Sequence, residues 1–178
     1  MTDAIQEAKV RAEILHKRVK AGDSHALARL RVLPPFSRQP SEQLVAIASS
    51  IRRQQCLTVI AKELGFANWP EAKRTLGGAG PVRDFGTILY PAKCRGHLNQ
   101  WFAQYGEAAV ARDRCQGYLL GYKRQYVVVD RYFIESLGLD PEDADWQALG
   151  FDWVRPKNVA ARARLYAKLL ALQPREAS

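Results

Sequence analysis

Gly77-Gly78-Ala79-Gly80-Pro81 divides the chain. Three glycines and a proline in five residues do not carry a helix across. The stretch reads as a Gly/Pro linker, so a first module is expected over residues 1–76 and a second over residues 82–178. The two sides differ in texture. Upstream the apolar residues repeat at helical spacing; downstream, aromatic and β-branched runs alternate with short helical segments. The expected fold class is α+β: an N-terminal all-helical module, then a small α+β domain with a short antiparallel sheet of about three strands.

Upstream of the break, Asp3 is placed to cap a helix from about Ala4 to Ala21, closed by Gly22. Ile5, Ala8, Ala12, Leu15 and Val19 form its apolar stripe. Asp23 or Ser24 caps a second, short helix that stops at Pro34-Pro35, and Ser41 caps a third with Leu44, Ile47, Ala48 and Ile51 inward. A fourth runs from Arg53 to Leu64 and ends at Gly65; Asn68 caps a fifth with Pro70 in its first turn.

Cys56-Leu57-Thr58-Val59-Ile60-Ala61-Lys62-Glu63-Leu64-Gly65-Phe66-Ala67-Asn68-Trp69-Pro70-Glu71-Ala72-Lys73 resembles the helical leader that precedes ankyrin repeats in some bacterial proteins. The likeness is an apolar helix, Gly-Phe, two residues, Trp-Pro and a short helix, with a looser match back to Leu15. The ankyrin repeats are absent. The resemblance implies a packing module with no catalytic residues. Phe66 and Trp69 are accordingly expected in the core.

Downstream, Phe85 to Tyr90 reads as a strand, Gly96 to Gln104 and Glu107 to Cys115 as helices. Tyr118-Leu119-Leu120-Gly121-Tyr122 and Gln125-Tyr126-Val127-Val128-Val129 read as a hairpin. Its turn would be Lys123-Arg124, neither a residue suited to positive φ, and a bulge at Gly121 would lengthen it. Tyr132 to Leu137 is a short helix ended by Gly138, Asp140 to Asp145 an acidic loop, and Pro156 to Gln173 a final helix.

The 178 residues suit one domain or two small ones, and 47% hydrophobic with 25% charged residues excludes wholesale disorder and fibrous repeats. No uncharged apolar run approaches a membrane span, and Met1 to Glu7 lacks the basic start and apolar core of a secretory signal. Cys56, Cys94 and Cys115 are odd in number and widely spaced, which argues for a reducing compartment. A cytoplasmic protein with no membrane association is expected. Lys+Arg 27 against Asp+Glu 18 leaves +9, which favours an anionic partner, nucleic acid or an acidic protein. Coding bias toward arginine is the competing explanation.

Three features carry candidate chemistry. Cys94-Arg95-Gly96-His97 places a thiol and an imidazole at an expected helix start, where Arg95 and the helix dipole would activate Cys94 as a nucleophile with His97 as base. Asp84 or Glu107 would orient the imidazole. The alternative makes Cys94 a small buried hydrophobe and His97 a packing residue. Zinc would require four ligands; with Cys115 added no fourth is apparent, and the acidic loop lacks the Gly and Glu positions of a calcium loop. The glycines at 77–80 lack the Lys-Ser/Thr of a phosphate cradle. No metal and no cofactor is implied.

The second feature is the hairpin. Tyr118, Tyr122 and Tyr126 accompany Lys123 and Arg124, with Tyr90, Lys93 and Arg95 as neighbours, a composition suited to single-stranded nucleic acid or simply to strand packing. Tyr118 is assigned to the core, and Tyr122, Lys123 and Arg124 to the contacting tip. The third is the last helix, where Lys157, Arg164 and Lys168 fall within about 20° of one line and form a basic ridge, either a phosphate track or a solvated face. Arg162 lies on the apolar side and calls for a partner, Asp130, Glu135 or Asp152. The leading expectation is non-enzymatic binding of an anionic partner, with nucleic acid first; the alternatives are an enzyme using Cys94 and His97, and an adaptor that docks a protein through residues 1–76.

Overall fold

The structure, a computed structural model, describes residues 3–78, 82 and 84–172. Ala79, Gly80 and Pro81 of the Gly/Pro stretch, and Gln173 at the expected end of the last helix, lie outside the described residues. The fold is α+β, helical at the N-terminal side and built around a three-stranded antiparallel sheet thereafter.

The upstream helices follow their caps. Asp3 accepts a hydrogen bond from the Ile5 N–H and opens α1 (Ala4–Lys20). Asp23 opens α2 (Ser24–Arg29) in the same way. Ser41 is the first residue of α3 (Ser41–Ile47) rather than its cap; its hydroxyl instead accepts from Arg31 at 3.0 Å. After α4 (Arg53–Glu63), Gly65 takes φ +86°, where an added Cβ would lie 2.4 Å from the Thr87 backbone nitrogen. Asn68 caps α5 (Trp69–Leu76), and Phe66 and Trp69 are both buried.

Downstream, the hairpin forms between β2 and β3, and the third strand differs from expectation. Gln100–Phe102 is β1, not part of a helix over 96–104; it pairs antiparallel with β3, Trp101 opposite Val127. β2 (Tyr118–Tyr122) pairs with β3 (Gln125–Val129) in register, Gly121 opposite Tyr126. The bulge expected at Gly121 is absent. Lys123 takes φ +51°, and the ring of Phe85 occupies the space of a Gly121 side chain, within 2.2 Å of an added Cβ. Residues 85–90 form no strand. Asp84 accepts from the Gly86 N–H, and Gly86 turns the chain at φ +65°. The loop nevertheless grips the hairpin: Phe85 N–H donates to the Lys123 carbonyl at 2.9 Å, and Lys123 N–H to the Gly86 carbonyl at 2.8 Å.

The sheet order is β1-β3-β2. Helix α6 (Tyr105–Cys115) covers one face, where Ala108, Ala111, Leu119 and Val128 pack together. The other face joins the main core with Leu120, Val127 and Val129. Beyond β2, residues 151–153 add a short parallel bridge at Leu119. Asp130 caps α7 (Arg131–Leu137), which Gly138 ends at φ +91°. Within the acidic stretch, Asp143 caps a short helix, α8 (Ala144–Leu149), which the sequence reading leaves as loop. The last helix, α9 (Val159–Leu172), starts three residues later than expected because Asn158 accepts from the Ala161 N–H.

The apolar interior is continuous across the Gly/Pro stretch, from Ala4 to Leu170. Helix α1 packs on α4 and on α9. Arg11, paired with Glu7 at 3.1 Å and buried with it, donates to the Leu170 carbonyl at the end of α9. No helix among the described residues is long and apolar enough to cross a membrane.

Candidate nucleic-acid interface

Alternation along the sheet decides which aromatic residues meet. Tyr122, Leu120 and Tyr118 on β2 share a face with Trp101 on β1, since Leu120 and Trp101 both stand opposite Val127. At the hairpin-tip end of that face, Tyr90 from the preceding loop fills the gap. Its ring centroid lies 4.9 Å from Trp101, 5.7 Å from Tyr122 and 5.2 Å from Phe133. Trp101 and Tyr122 are 5.7 Å apart at 83°. Asn99 donates to the Tyr90 hydroxyl at 3.1 Å, and His97 meets Phe133 edge-on at 5.4 Å. The cluster roots in the buried Phe133 and rises to the surface, where Trp101 is 41% exposed. Trp69, Trp146 and Trp153 are all buried.

Cationic side chains stand on the turn and on the loop that supply Tyr122 and Tyr90. Lys123 Nζ stands 5.6 Å from the Tyr122 ring centroid, and Arg124 follows it in the turn. Lys93 and Arg95 are exposed on the loop that carries Tyr90 toward β1; Lys93 Nζ reaches the Leu137 carbonyl at 3.4 Å. Among the described residues, no carboxylate lies within ion-pair distance of Lys93, Arg95, Lys123 or Arg124. Trp101 and Asn99 are absent from the sequence-derived candidates. The available signal was the Trp101-Phe102 pair, whose side chains favour strands, but the expected helix over 96–104 hid it.

The remaining tyrosines are elsewhere. Tyr118 is core, as expected: its hydroxyl donates to the Pro141 carbonyl at 3.0 Å, and its ring meets Trp146 at 5.0 Å. Tyr126 faces the other side of the sheet, against Tyr105 at 6.0 Å.

The basic ridge of α9 is not a free phosphate track. Arg164 donates from Nε to Asp145 at 2.9 Å, and Lys168 bridges Asp143 and Asp145. Hydrogen bonds from Arg164 and then Lys168 hold the Asp145 carboxyl below its ordinary range. The loop read as solvated acid thus folds back onto the ridge. Lys157 remains exposed, its stem against Gly150. Arg162 is 3% exposed, and none of the three expected carboxylates pairs with it. Asp152 instead accepts from Tyr105 at 2.6 Å and Arg112 at 2.9 Å. Arg162 donates to the Trp153 carbonyl at 2.9 Å, leaving its Nε without a partner.

Among the described residues no hydrogen bond joins the Cys94 thiol to the His97 imidazole. Cys94 closes a single 3-10 turn (Ala92–Cys94), with no helix N-terminus behind it, and is fully buried. Burial pushes its thiol up, and Lys93 offsets only part of that. The His97 Nε2 is 2.9 Å from the Ser136 hydroxyl. Asp84 is engaged with Gly86 and Glu107 is exposed on α6, so neither orients the imidazole.

A cleft of about 580 Å³ lies at the opposite end of the hairpin, between α6 and α8, with Tyr118 and Phe151 in its wall. Its carboxylates, Asp113, Glu142 and Asp143, are engaged by Arg112, Arg131 and Lys168 respectively. Among the described residues, no three His, Cys, Asp or Glu side chains are gathered to hold a metal ion. No family model matches this chain, and no curated protein and no solved structure is significantly similar to it.

Proposed function

We propose that the chain is a non-enzymatic binding protein for nucleic acid, engaged at the hairpin-tip face. The observation that carries this is Trp101, a 41% exposed indole whose ring meets Tyr122, itself beside the Lys123 ammonium in the turn. The part of the indole that Tyr90 and Tyr122 leave open gives a base a surface to stack on while phosphates meet Lys93, Arg95, Lys123 and Arg124. An acidic protein would answer the cations, whereas a nucleotide brings a flat base and a phosphate together in one unit. The ridge residues Lys157, Arg164 and Lys168 fall outside this interface.

The test is fluorescence anisotropy of a labelled mixed-sequence 20-nucleotide single strand, together with quenching of Trp101 emission. If all four cations meet phosphates, affinity falls about 50-fold between 50 and 200 mM salt. No binding at 50 mM, or binding indifferent to salt, overturns the proposal.

A further inference from the structure

We infer that the hairpin-tip face takes unpaired bases, so that it binds single-stranded nucleic acid and discriminates against duplex. The inference rests on the nucleic-acid reading of this same face and narrows its substrate.

The first ground is how Trp101 is presented. Tyr90 and Tyr122 meet it at 64° and 83°, so neither ring lies parallel on the indole. A base lying flat on the exposed part of the indole would complete an offset stack. Trp101 is the large apolar side chain of this face that reaches solvent, at 41% exposure. In a duplex the base faces are already stacked on one another, and the outer surface is sugar and phosphate. Trp101 would then be pressed against charged oxygens and desolvate them with no stacking in return.

The second ground is that nothing at this face suits a duplex groove. A major groove admits a helix or a two-stranded ribbon. The β2–β3 hairpin is not a free ribbon: β1 pairs along one side of β3, and Phe85 and Gly86 are hydrogen-bonded to Lys123 in its turn. Helix α7 presents here its carbonyl end, which Lys93 covers, so no helix N-terminus is offered to the phosphates of a groove. The cations, in contrast, suit a flexible backbone. Lys93 and Arg95 stand on the Tyr90 loop and Lys123 and Arg124 on the turn, with Trp101 on the strand that packs beside Tyr122. A strand laid over the cluster places phosphates toward both groups with a base on the indole.

The experiment compares a labelled 20-nucleotide single strand with the same strand annealed into a blunt duplex, at 100 mM salt, with the full chain. The single strand should bind at least tenfold more tightly. Trp101→Ala should weaken single-strand binding about tenfold or more and leave duplex binding within twofold. Trp101→Phe should restore most of the loss, with melting temperatures confirming that both variants fold. Equal affinity for the two forms, or an unchanged affinity in Trp101→Ala, overturns the inference while nucleic-acid binding stands. Binding of neither form removes the nucleic-acid reading itself, and this inference with it.

Discussion

The hairpin tip and the α8–α9 face use the same residue types to opposite ends. Both bring together arginine, lysine and large aromatics. At α8–α9, Trp146, Trp153 and Tyr166 are fully buried, and the cations above them are matched by Asp143 and Asp145 from the preceding turn. At the tip, Tyr90 and Tyr122 are half-buried, Trp101 reaches solvent, and Lys93, Arg95, Lys123 and Arg124 have no carboxylate partner. A net charge of +9 does not distinguish the two regions. What distinguishes them is whether the fold returns an acidic segment to the cations. It does so at α9, where the acidic turn and the ridge are some twenty residues apart in the chain and in contact in space.

Charge variants test that contrast most strongly. Lys123→Glu with Arg124→Glu should reduce affinity for the labelled single strand about 100-fold, or roughly 2.7 kcal/mol, because two attractions become two repulsions. Arg164→Gln with Lys168→Gln should leave binding within twofold, since these groups are already neutralised. A comparable loss in both pairs, measured by anisotropy, would erase the distinction between the regions.

Stability sharpens the comparison from the other side. Asp145→Asn should cost about 1 kcal/mol in urea unfolding, because it weakens charge-assisted hydrogen bonds from Arg164 and Lys168, both partly exposed to solvent. The pH dependence has a definite sign. The Asp145 carboxyl titrates below its ordinary value in the folded chain. Its contribution is therefore fully present above about pH 4, the unfolded value, and is lost as pH falls through the depressed folded value. Asp145→Asn should remove that acid-labile component, whereas Lys123→Glu should leave Asp145's own contribution to the acid limb in place. Urea midpoints between pH 2.5 and 6 measure both.

The smallest effect concerns the thiols. Burial pushes Cys56 up to about 11 and raises Cys94 as well, while Cys115 is exposed. Iodoacetamide at pH 7.5, followed by peptide mass analysis, should label Cys115 first, with Cys94 and Cys56 reacting only on the timescale of unfolding. Rapid labelling of Cys94 in the folded chain would restore an activated thiol next to the tip cluster.

Local signals were legible and distant pairings were not. Asp3, Asp23 and Asn68 each receive a backbone N–H at the start of a helix, a capping bond that follows from the residue and its immediate neighbours, whereas Ser41 proved to be the first residue of its helix. The hairpin was equally readable, because a strand pair joined by two residues needs no information beyond its own alternation. β1 was not. Three residues carry too little periodicity, and Gln100 to Phe102 become a strand only because β3 offers an open edge. The misreading of 96–104 as helix in turn concealed Trp101, so the strongest member of the candidate interface was the one missed. Lys123 and Arg124 were nominated correctly as tip residues, yet their freedom from carboxylates could not be read from the chain.

The sequence by itself determined the α+β class, the helix caps at Asp3, Asp23 and Asn68, the hairpin and the surplus of positive charge, because each depends on residue type or on spacing within a few positions. Only the tertiary structure decided that the core runs uninterrupted from Ala4 to Leu170, that Asp143 and Asp145 quench the α9 ridge, and that Tyr90, Trp101 and Tyr122 converge beside unpaired cations. Those outcomes join residues far apart in the chain. Such meetings are selected by the burial of the whole apolar surface, which no local pattern encodes.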